Sequence, residues 1–216
     1  MKTRHFQICA WLILAALAAT VLAYPQLPAS LPTHWNWHGN VDNYGPRWVL
    51  FVLGPGLMAA VLGLFAALPK ISPQRFELAK FKATYHYLML VVVAMIGCLY
   101  AIMLWAAWSG SAKLPQAMLV VVAVFFALIG NVMGKVRRNF WIGIRTPWTL
   151  ASERVWYATH RLAGKTIVIA ALVCLITIFA GLPFSLCLAI LIMGPCLPAV
   201  YSLAYYQRLK ASGGLE

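Results

Sequence analysis

Long apolar runs separated by short polar segments dominate this chain from end to end. Six of them approach or exceed the roughly 20 residues that a helix needs to cross hydrocarbon. They lie at 7–24, 48–68, 86–108, 114–134, 164–182 and 184–206. Backbone in lipid must satisfy its own hydrogen bonds, and the alternating pattern of a membrane barrel is missing, so the runs predict helices. The expected fold class is all-α: a polytopic integral membrane protein with six transmembrane helices.

Composition supports the membrane class. Of the 216 residues, 63% are hydrophobic and 10% are charged, whereas a soluble domain carries about a quarter of its residues as charges. The basic start and long first apolar run favour an uncleaved helix over a signal peptide. The cysteines all fall in apolar runs without a paired spacing, which predicts buried small hydrophobes and neither disulfides nor a metal site: Cys9, Cys98, Cys174, Cys187 and Cys196.

The distribution of basic residues predicts the orientation. If the chain starts inside the cell, only Arg47 and Lys113 of the 17 lysines and arginines fall on the outer side. Lysine and arginine accumulate on the cytoplasmic side of membrane proteins, so both termini are predicted to be cytoplasmic. The net charge of +13 then reflects topology and contact with anionic lipid head groups. No direct binding of nucleic acid is expected.

Two of the predicted spans contain helix breakers. Gly54-Pro55-Gly56 lies early in the second span, and Gly194-Pro195 and Pro198 lie in the sixth. Such positions serve either as hinges and unwound ligand sites, as in transporters, or as packing kinks; we favour packing. Ionisable residues are missing from the depth of every predicted span, which argues against an ion-coupled transporter.

The outer loop, residues 25–47, carries a first polar cluster. His34, His38 and Asp42 are spaced four apart and would align as zinc ligands if the segment were a helix. Its prolines, glycines and asparagines instead favour turns. We therefore expect an extended segment, with Trp35 and Trp37 acting as interfacial anchors or as contacts for a peptide or lipid, and keep the metal site as an alternative.

The inner loop, residues 135–165, carries the second cluster. Pro147 pushes the preceding residue out of helical conformation. Thr149 is then placed to cap a short helix that begins near Leu150, with Glu153 at the end of its first turn.

On that helix Glu153, Trp156 and His160 share one stripe. The favoured interpretation is a helix resting on the membrane surface, with Val155 and Leu162 turned toward lipid. The alternative is an acid/base pair of Glu153 and His160. Because the chain has no nucleophile motif, no H-E-x-x-H and no P-loop, we expect neither an enzyme nor a cofactor.

Two motifs resemble known families. The inner segment reads G-N-x-M-G-K-x-R-x-N-F-x-I-G-I-R-T-P-W-T-L from Gly130 to Leu150, followed by V-W-x-x-T-H-R-x-x-G-K from Val155 to Lys165. It closely resembles the signature of the SdpI family of bacterial membrane proteins. The outer segment, L-P-x-H-W-N-x-x-G-x-x-D, is similar to the DUF1648 module that often precedes it, in which His38 has no counterpart.

The resemblance implies a DUF1648-like hairpin over 1–68 and an SdpI-like four-helix membrane region over 69–216, in a bacterial cytoplasmic (inner) membrane. It also implies an immunity or signalling role: a toxin peptide met outside and a transcriptional repressor held inside. Residues implied in ligand or partner contact are Asn139, Gly143, Arg145, Thr146, Pro147, Trp148, Thr149, Trp156, Thr159 and His160 in the inner motif, and His34, Trp35, Asn36, Gly39 and Asp42 in the outer loop. A small peptide or lipid transporter is the first alternative, and a zinc-dependent membrane hydrolase is the second.

Overall fold

The computed structural model describes residues 4–73, 78–109 and 114–215. Most of these residues are helical, and one two-stranded hairpin follows the first helix. The elements are α1 (Arg4–Ala23), β1 (Ser30–Trp35), β2 (Val41–Pro46), α2 (Val49–Ile71), α3 (Lys82–Ser109), α4 (Leu114–Met133), α5 (Pro147–Ala151), α6 (Glu153–Phe179) and α7 (Phe184–Ala211). A 3-10 turn over Tyr24–Gln26 extends α1, and another over Leu78–Phe81 precedes α3.

Six helices, all except the short α5, are long and apolar enough to cross a membrane. The predicted all-α membrane fold with six spans is therefore confirmed. The largest difference in bounds is in the fifth span, expected at 164–182, since α6 begins at Glu153. Its first turns carry polar residues, so hydropathy marked only the part of the helix that hydrocarbon would surround.

The connections between helices form two opposite faces of the bundle. The hairpin face carries β1 and β2. The tip of this hairpin packs against α4 and α7, since a Cβ built on Gly39 would lie 3.5 Å from Pro115 and from Phe184. The motif face carries residues 134–152 and the end of α7, where Arg154 donates a hydrogen bond to the Gly214 carbonyl at 2.9 Å.

Basic residues separate between these faces. In the described part of the chain, Arg47 is the basic residue of the hairpin face. The motif face carries Arg4, Lys70, Lys80, Lys82, Lys135, Arg137, Arg138, Arg145, Arg154, Arg161, Lys165, Arg208 and Lys210. Lys2, Arg75 and Lys113, which also entered the charge comparison, lie outside the described residues.

The breakers in the second span do not interrupt the helix. Val52–Gly56 forms a π-helical turn within α2 around Pro55. A Cβ at Gly54 would overlap the ring of Tyr100, which is buried and pairs through its hydroxyl with Thr20. The glycine thus makes room for an aromatic side chain of α3, which favours packing over a hinge.

The breakers in the last span mark the close approach of α6 and α7. A Cβ at Gly194 would lie 3.0 Å from the Cβ of Ala170. Pro198 has no N–H to donate to the Gly194 carbonyl four residues earlier. The Thr166 hydroxyl of α6 donates to that carbonyl instead, at 2.7 Å, so α7 stays continuous from Phe184 to Ala211.

The cysteine prediction was wrong in part. All five cysteines are free thiols, but Cys98 and Cys196 are exposed on the outside of the bundle. Every face of a membrane helix is apolar, so hydropathy does not distinguish the side that meets lipid from the side that meets other helices.

Candidate functional site

The outer motif forms an antiparallel hairpin. β1 pairs with β2, and His34 Nδ1 meets Asp42 Oδ1 across the strands at 2.5 Å. Both side chains are solvent-exposed, at 66% and 40%. The expected extended segment with turns is confirmed, and the helical alignment that the metal alternative needed is not formed: His38 lies in the turn at the tip. Among the described residues, no three His, Cys, Asp or Glu side chains are arranged to hold a metal ion.

Asn36 and Gly39 shape the tip of this hairpin. The Asn36 side-chain oxygen accepts hydrogen bonds from the backbone N–H groups of His38 and Asn40, at 2.9 and 3.0 Å. Gly39 has a φ of +81°, a left-handed conformation that suits glycine. Two motif residues thus have a structural role, since they turn the chain so that the tip rests on the bundle.

A pocket of about 260 Å³ lies between the hairpin and the ends of α3 and α4. Trp35 and Leu31 line it from the hairpin, and Met103 and Pro115 line it from the helices. Trp35 is thus partly enclosed and is not simply an interfacial anchor.

Three other aromatic side chains remain exposed near the hairpin. Trp37 is 50% exposed, Tyr44 61% and Trp48 57%. Aromatic side chains of this kind are common anchors both at membrane interfaces and in binding sites for amphiphilic molecules.

The inner motif begins with a loop organised by Asn139. This residue is fully buried. Its side-chain oxygen accepts from the backbone N–H groups of Trp141 and Ile142 at 2.8 and 2.7 Å, while its amide donates to the Arg137 and Ile142 carbonyls, both at 2.9 Å. Arg145 donates to the Phe140 carbonyl at 2.8 Å. Asn139 therefore satisfies backbone groups of a loop that has no regular secondary structure.

The short helix that follows is capped differently from the prediction. Thr146, and not Thr149, is the N-cap of α5, and the two threonines form a reciprocal capping box. Pro147 occupies the first helical turn, where its missing N–H has no cost. The hydroxyl of Thr149 also donates to the Ile144 carbonyl at 2.9 Å. The helix ends at Ala151 because Ser152 is extended, with φ −129° and ψ 129°.

The expected surface helix bearing Trp156 and His160 is wrong. Both residues lie in the first turns of α6 and are fully buried, as is Val155. Their rings stack with centroids 4.0 Å apart, and Trp156 Nε1 donates to the Val136 carbonyl at 2.8 Å. The loop over 134–146 folds onto this side of α6 and covers Trp156 and His160, whereas Glu153 of the same stripe stays exposed and Leu162 is half-buried.

His160 uses both ring nitrogens. Its Nδ1 lies 2.8 Å from the Trp156 carbonyl, and its Nε2 lies 3.1 Å from the backbone N of Ile144. A carbonyl only accepts and an N–H only donates, so the ring is neutral with its proton on Nδ1. Gly143, with φ +109°, runs so close to the imidazole that a Cβ there would overlap Nε2.

The alternative acid/base pair of Glu153 and His160 is not formed. The Glu153 side chain is 61% exposed and lies 3.5 Å from Arg138, which also donates to the Leu150 carbonyl at 3.3 Å. The His160 nitrogens are both engaged with backbone. The nearby Arg137 donates to the Tyr157 hydroxyl at 3.1 Å, and this bond raises the pKa of its guanidinium.

A further contact joins the motif to the last helix. Trp148 Nε1 donates to the Ser202 hydroxyl, which also lies 3.4 Å from the Thr146 hydroxyl and donates to the Ala199 carbonyl at 2.5 Å. Sequence reasoning missed Ser202, although a small polar residue within an apolar helix is a signal for such a contact. The motif therefore locks the ends of α4, α5, α6 and α7 together.

Not every buried polar group in this region has a partner. The hydroxyls of Thr159 and Ser152 and the indole N–H of Trp141 are buried without a hydrogen bond within the described residues. The buried polar side chains of the described chain are Thr20, Asn139, Thr149, Ser152, Thr159, His160 and Ser202. All except Thr20 belong to the motif face, so they do not line a polar path across the bundle.

Comparisons with known proteins agree with both motifs. The model of the SdpI/YfhL protein family matches residues 135–206, and that of a domain of unknown function, DUF1648, matches residues 11–59. The chain is 23% identical over 203 residues to the immunity protein SdpI of Bacillus subtilis (strain 168). The aligned region covers 93% of this chain and 95% of that protein. No solved structure matches. The resemblance seen in the sequence is confirmed.

Proposed function

The chain carries an SdpI/YfhL family region behind a DUF1648 module, and from this premise we propose that it is a non-enzymatic immunity protein of the bacterial cytoplasmic membrane. It gives resistance to an amphiphilic antimicrobial peptide by binding that peptide at the hairpin face. In the proposed orientation the hairpin face is outside the cell and both termini and the motif face are in the cytoplasm, in keeping with the basic residues of the motif face.

The exposed aromatic side chains of the hairpin are the observation that carries this proposal. Trp37, Tyr44 and Trp48 present apolar surface with polar tips around a hairpin that closes a pocket. An amphiphilic peptide needs such a mixed surface, since its apolar side chains are removed from water while its backbone finds hydrogen-bond partners. The neighbouring Arg47 stacks on Tyr24, with its guanidinium carbon 4.6 Å from the ring centroid.

The motif face would act as the effector side. Its buried residues hold four helix ends in one arrangement, and Arg145 and Pro147 remain exposed beside them. A cytoplasmic partner such as a transcriptional repressor would contact these exposed residues, whereas Trp156 and His160 would act only through the packing they maintain.

Resistance of cells tests the proposal. A sensitive bacterium expressing the chain is exposed to a panel of amphiphilic membrane-active peptides, and growth is compared with that of cells carrying the empty vector. We expect protection against at least one peptide, and loss of that protection in the W37A/Y44A variant. The matched control is W105A/W108A, which removes two exposed tryptophans of α3 (55% and 65% exposed) and should leave protection unchanged.

Two results would count against it. Equal growth with and without the protein for every peptide would remove the immunity role. Uptake of a protective peptide into proteoliposomes would show that the protein transports the peptide, and the proposed mechanism of binding would then be wrong. R145A tests the effector side separately. It should leave the protein folded and able to bind peptide at the hairpin face, so a change in protection would report on the effector side.

A further inference from the structure

A groove opens on the side of the bundle at the motif face, between the end of α4 and the start of α6. It has a volume of about 820 Å³. Gly130, Asn131 and Gly134 form one wall, and Arg161, Gly164 and Lys165 form the other. Farther along α6, away from the motif face, the lining becomes apolar, with Val168 and Ile169. The groove is separate from the hairpin pocket and from the buried part of the motif.

Glycines produce the groove because they bring the two helix backbones close together. A Cβ at Gly164 would lie 3.1 Å from the Gly130 carbonyl oxygen, and a Cβ at Gly130 would lie 2.9 Å from Val168. At Gly164 the nearest neighbour is backbone, whereas the side chains of Ile167 and Val168 pack against Gly130. The floor of the groove beside Gly164 is therefore backbone, and its open side would face lipid.

The two basic side chains of the groove have no partner among the residues that the structure describes. Arg161 and Lys165 are exposed and make no hydrogen bond or ion pair with any described residue. Glu153, two helical turns away, is paired with Arg138. Arg47 of the hairpin face, in contrast, donates to backbone carbonyls and stacks on Tyr24. Two adjacent cations without an internal counter-charge leave a site for an external anion.

The height of this pair along the bundle matches the lipid head groups. α4 has 20 residues, about 30 Å of helix at 1.5 Å per residue, which is the thickness of the hydrocarbon core. Gly134 immediately follows α4, and its Cβ position lies 3.7 Å from Arg161 Cγ. Arg161 thus lies where hydrocarbon ends, and Lys165 lies one turn deeper, where an unpaired ammonium is unfavourable.

We propose that this groove binds an anionic phospholipid, with the phosphate held by Arg161 and Lys165 and one acyl chain lying along Val168 and Ile169. Asn131 at the rim adds a polar group for the glycerol or head-group oxygens. Basic pockets between helices at the cytoplasmic end are a known form of lipid recognition. The proposal does not depend on peptide binding at the hairpin face.

Lipid titration of the full-length protein in detergent, followed by native mass spectrometry, tests the site. The probes are phosphatidylglycerol, phosphatidylcholine with the same acyl chains, and inorganic phosphate. We expect phosphatidylglycerol to bind more tightly than phosphatidylcholine. The R161Q/K165Q variant should lose this preference, on the order of thirtyfold for two basic groups. R208Q/K210Q, which removes two exposed cations from the end of α7, should keep it.

A second variant separates the site from folding. G134F fills the groove at an exposed position while both cations remain, and it should also lose the preference for phosphatidylglycerol. The proposal is overturned if R161Q/K165Q or G134F keeps the preference, or if R208Q/K210Q loses it equally. It is also overturned if inorganic phosphate displaces the lipid fully, because the site would then recognise a free anion.

Discussion

Gly143 and His160 are in direct contact at the centre of the motif face: the backbone at Gly143 passes the imidazole so closely that no Cβ would fit between them. The next amide along the chain, Ile144 N–H, donates to Nε2 of the same ring at 3.1 Å. A glycine in the loop and a histidine in α6 therefore hold the loop against the helix as one unit.

Replacing Gly143 by alanine should destabilise the protein. Alanine at φ +109° is strained and would also displace the imidazole, so we expect a loss of about 2–4 kcal/mol, measured as a lower thermal midpoint in detergent. Gly181→Ala is the matched control, because Gly181 also has a positive φ, +73°, but nothing lies within 4 Å of its Cβ position. Equal losses in both variants would mean that contact with His160 contributes nothing.

His160→Phe should cost about 1–3 kcal/mol, because it keeps an aromatic ring against Trp156 but leaves the buried Ile144 N–H without an acceptor. The neighbouring Thr159→Val is the control. The Thr159 hydroxyl is buried without a partner in the described chain, so its removal should be neutral or stabilising. Thermal unfolding of both variants is the measurement. A larger loss in Thr159→Val would show that its hydroxyl has a partner of its own.

Ser202→Ala should weaken the contact between α7 and the motif face. The change leaves the indole N–H of Trp148 without its acceptor, and we expect a loss of about 1 kcal/mol together with faster proteolysis of the 134–152 segment. Ser212→Ala, which removes an exposed hydroxyl beyond the end of α7, should change neither quantity. Unaltered proteolysis in Ser202→Ala would contradict a role for this contact in holding the segment.

The pair of Thr166 and Pro198 should behave as a double-mutant cycle. Thr166→Val leaves the Gly194 carbonyl without its donor, at a cost of about 1–3 kcal/mol. Pro198→Ala supplies a backbone N–H to the same carbonyl, so Thr166→Val should cost less in the Pro198→Ala background. Unfolding midpoints of the four proteins give the coupling, and additive losses would show that the threonine does not replace the missing N–H.

Asp42→Asn should change stability by less than about 1 kcal/mol, since the side chains of Asp42 and its partner His34 are both solvent-exposed. Addition of a chelator should leave the thermal midpoint of the purified protein unchanged. A chelator-sensitive midpoint that Asp42→Asn abolishes would restore the zinc alternative for the outer loop.

The candidate site was predictable only in part. The motif residues were found because Pro147, the threonines and the tryptophans form an unusual polar segment between apolar runs. Their roles were not found, because the hydropathy of α6 near Trp156 and His160 resembles that of an interfacial helix. Burial of these two residues depends on a loop that folds over them, and local sequence carries no measure of that.

The sequence by itself determined the six spans, the separation of basic residues between two faces and the resemblance of the two motifs to known families. Each follows from local properties: a run of apolar residues must leave water, and a lysine or arginine stays in the polar connection next to it in the chain. Only the tertiary structure decided which motif residues are buried, that Trp156 meets Val136 and Trp148 meets Ser202, and that Arg161 and Lys165 share an open groove. The physical reason is that apolar helices have many acceptable neighbours. The choice among them is made by close packing at glycines and by hydrogen bonds between residues distant in the chain.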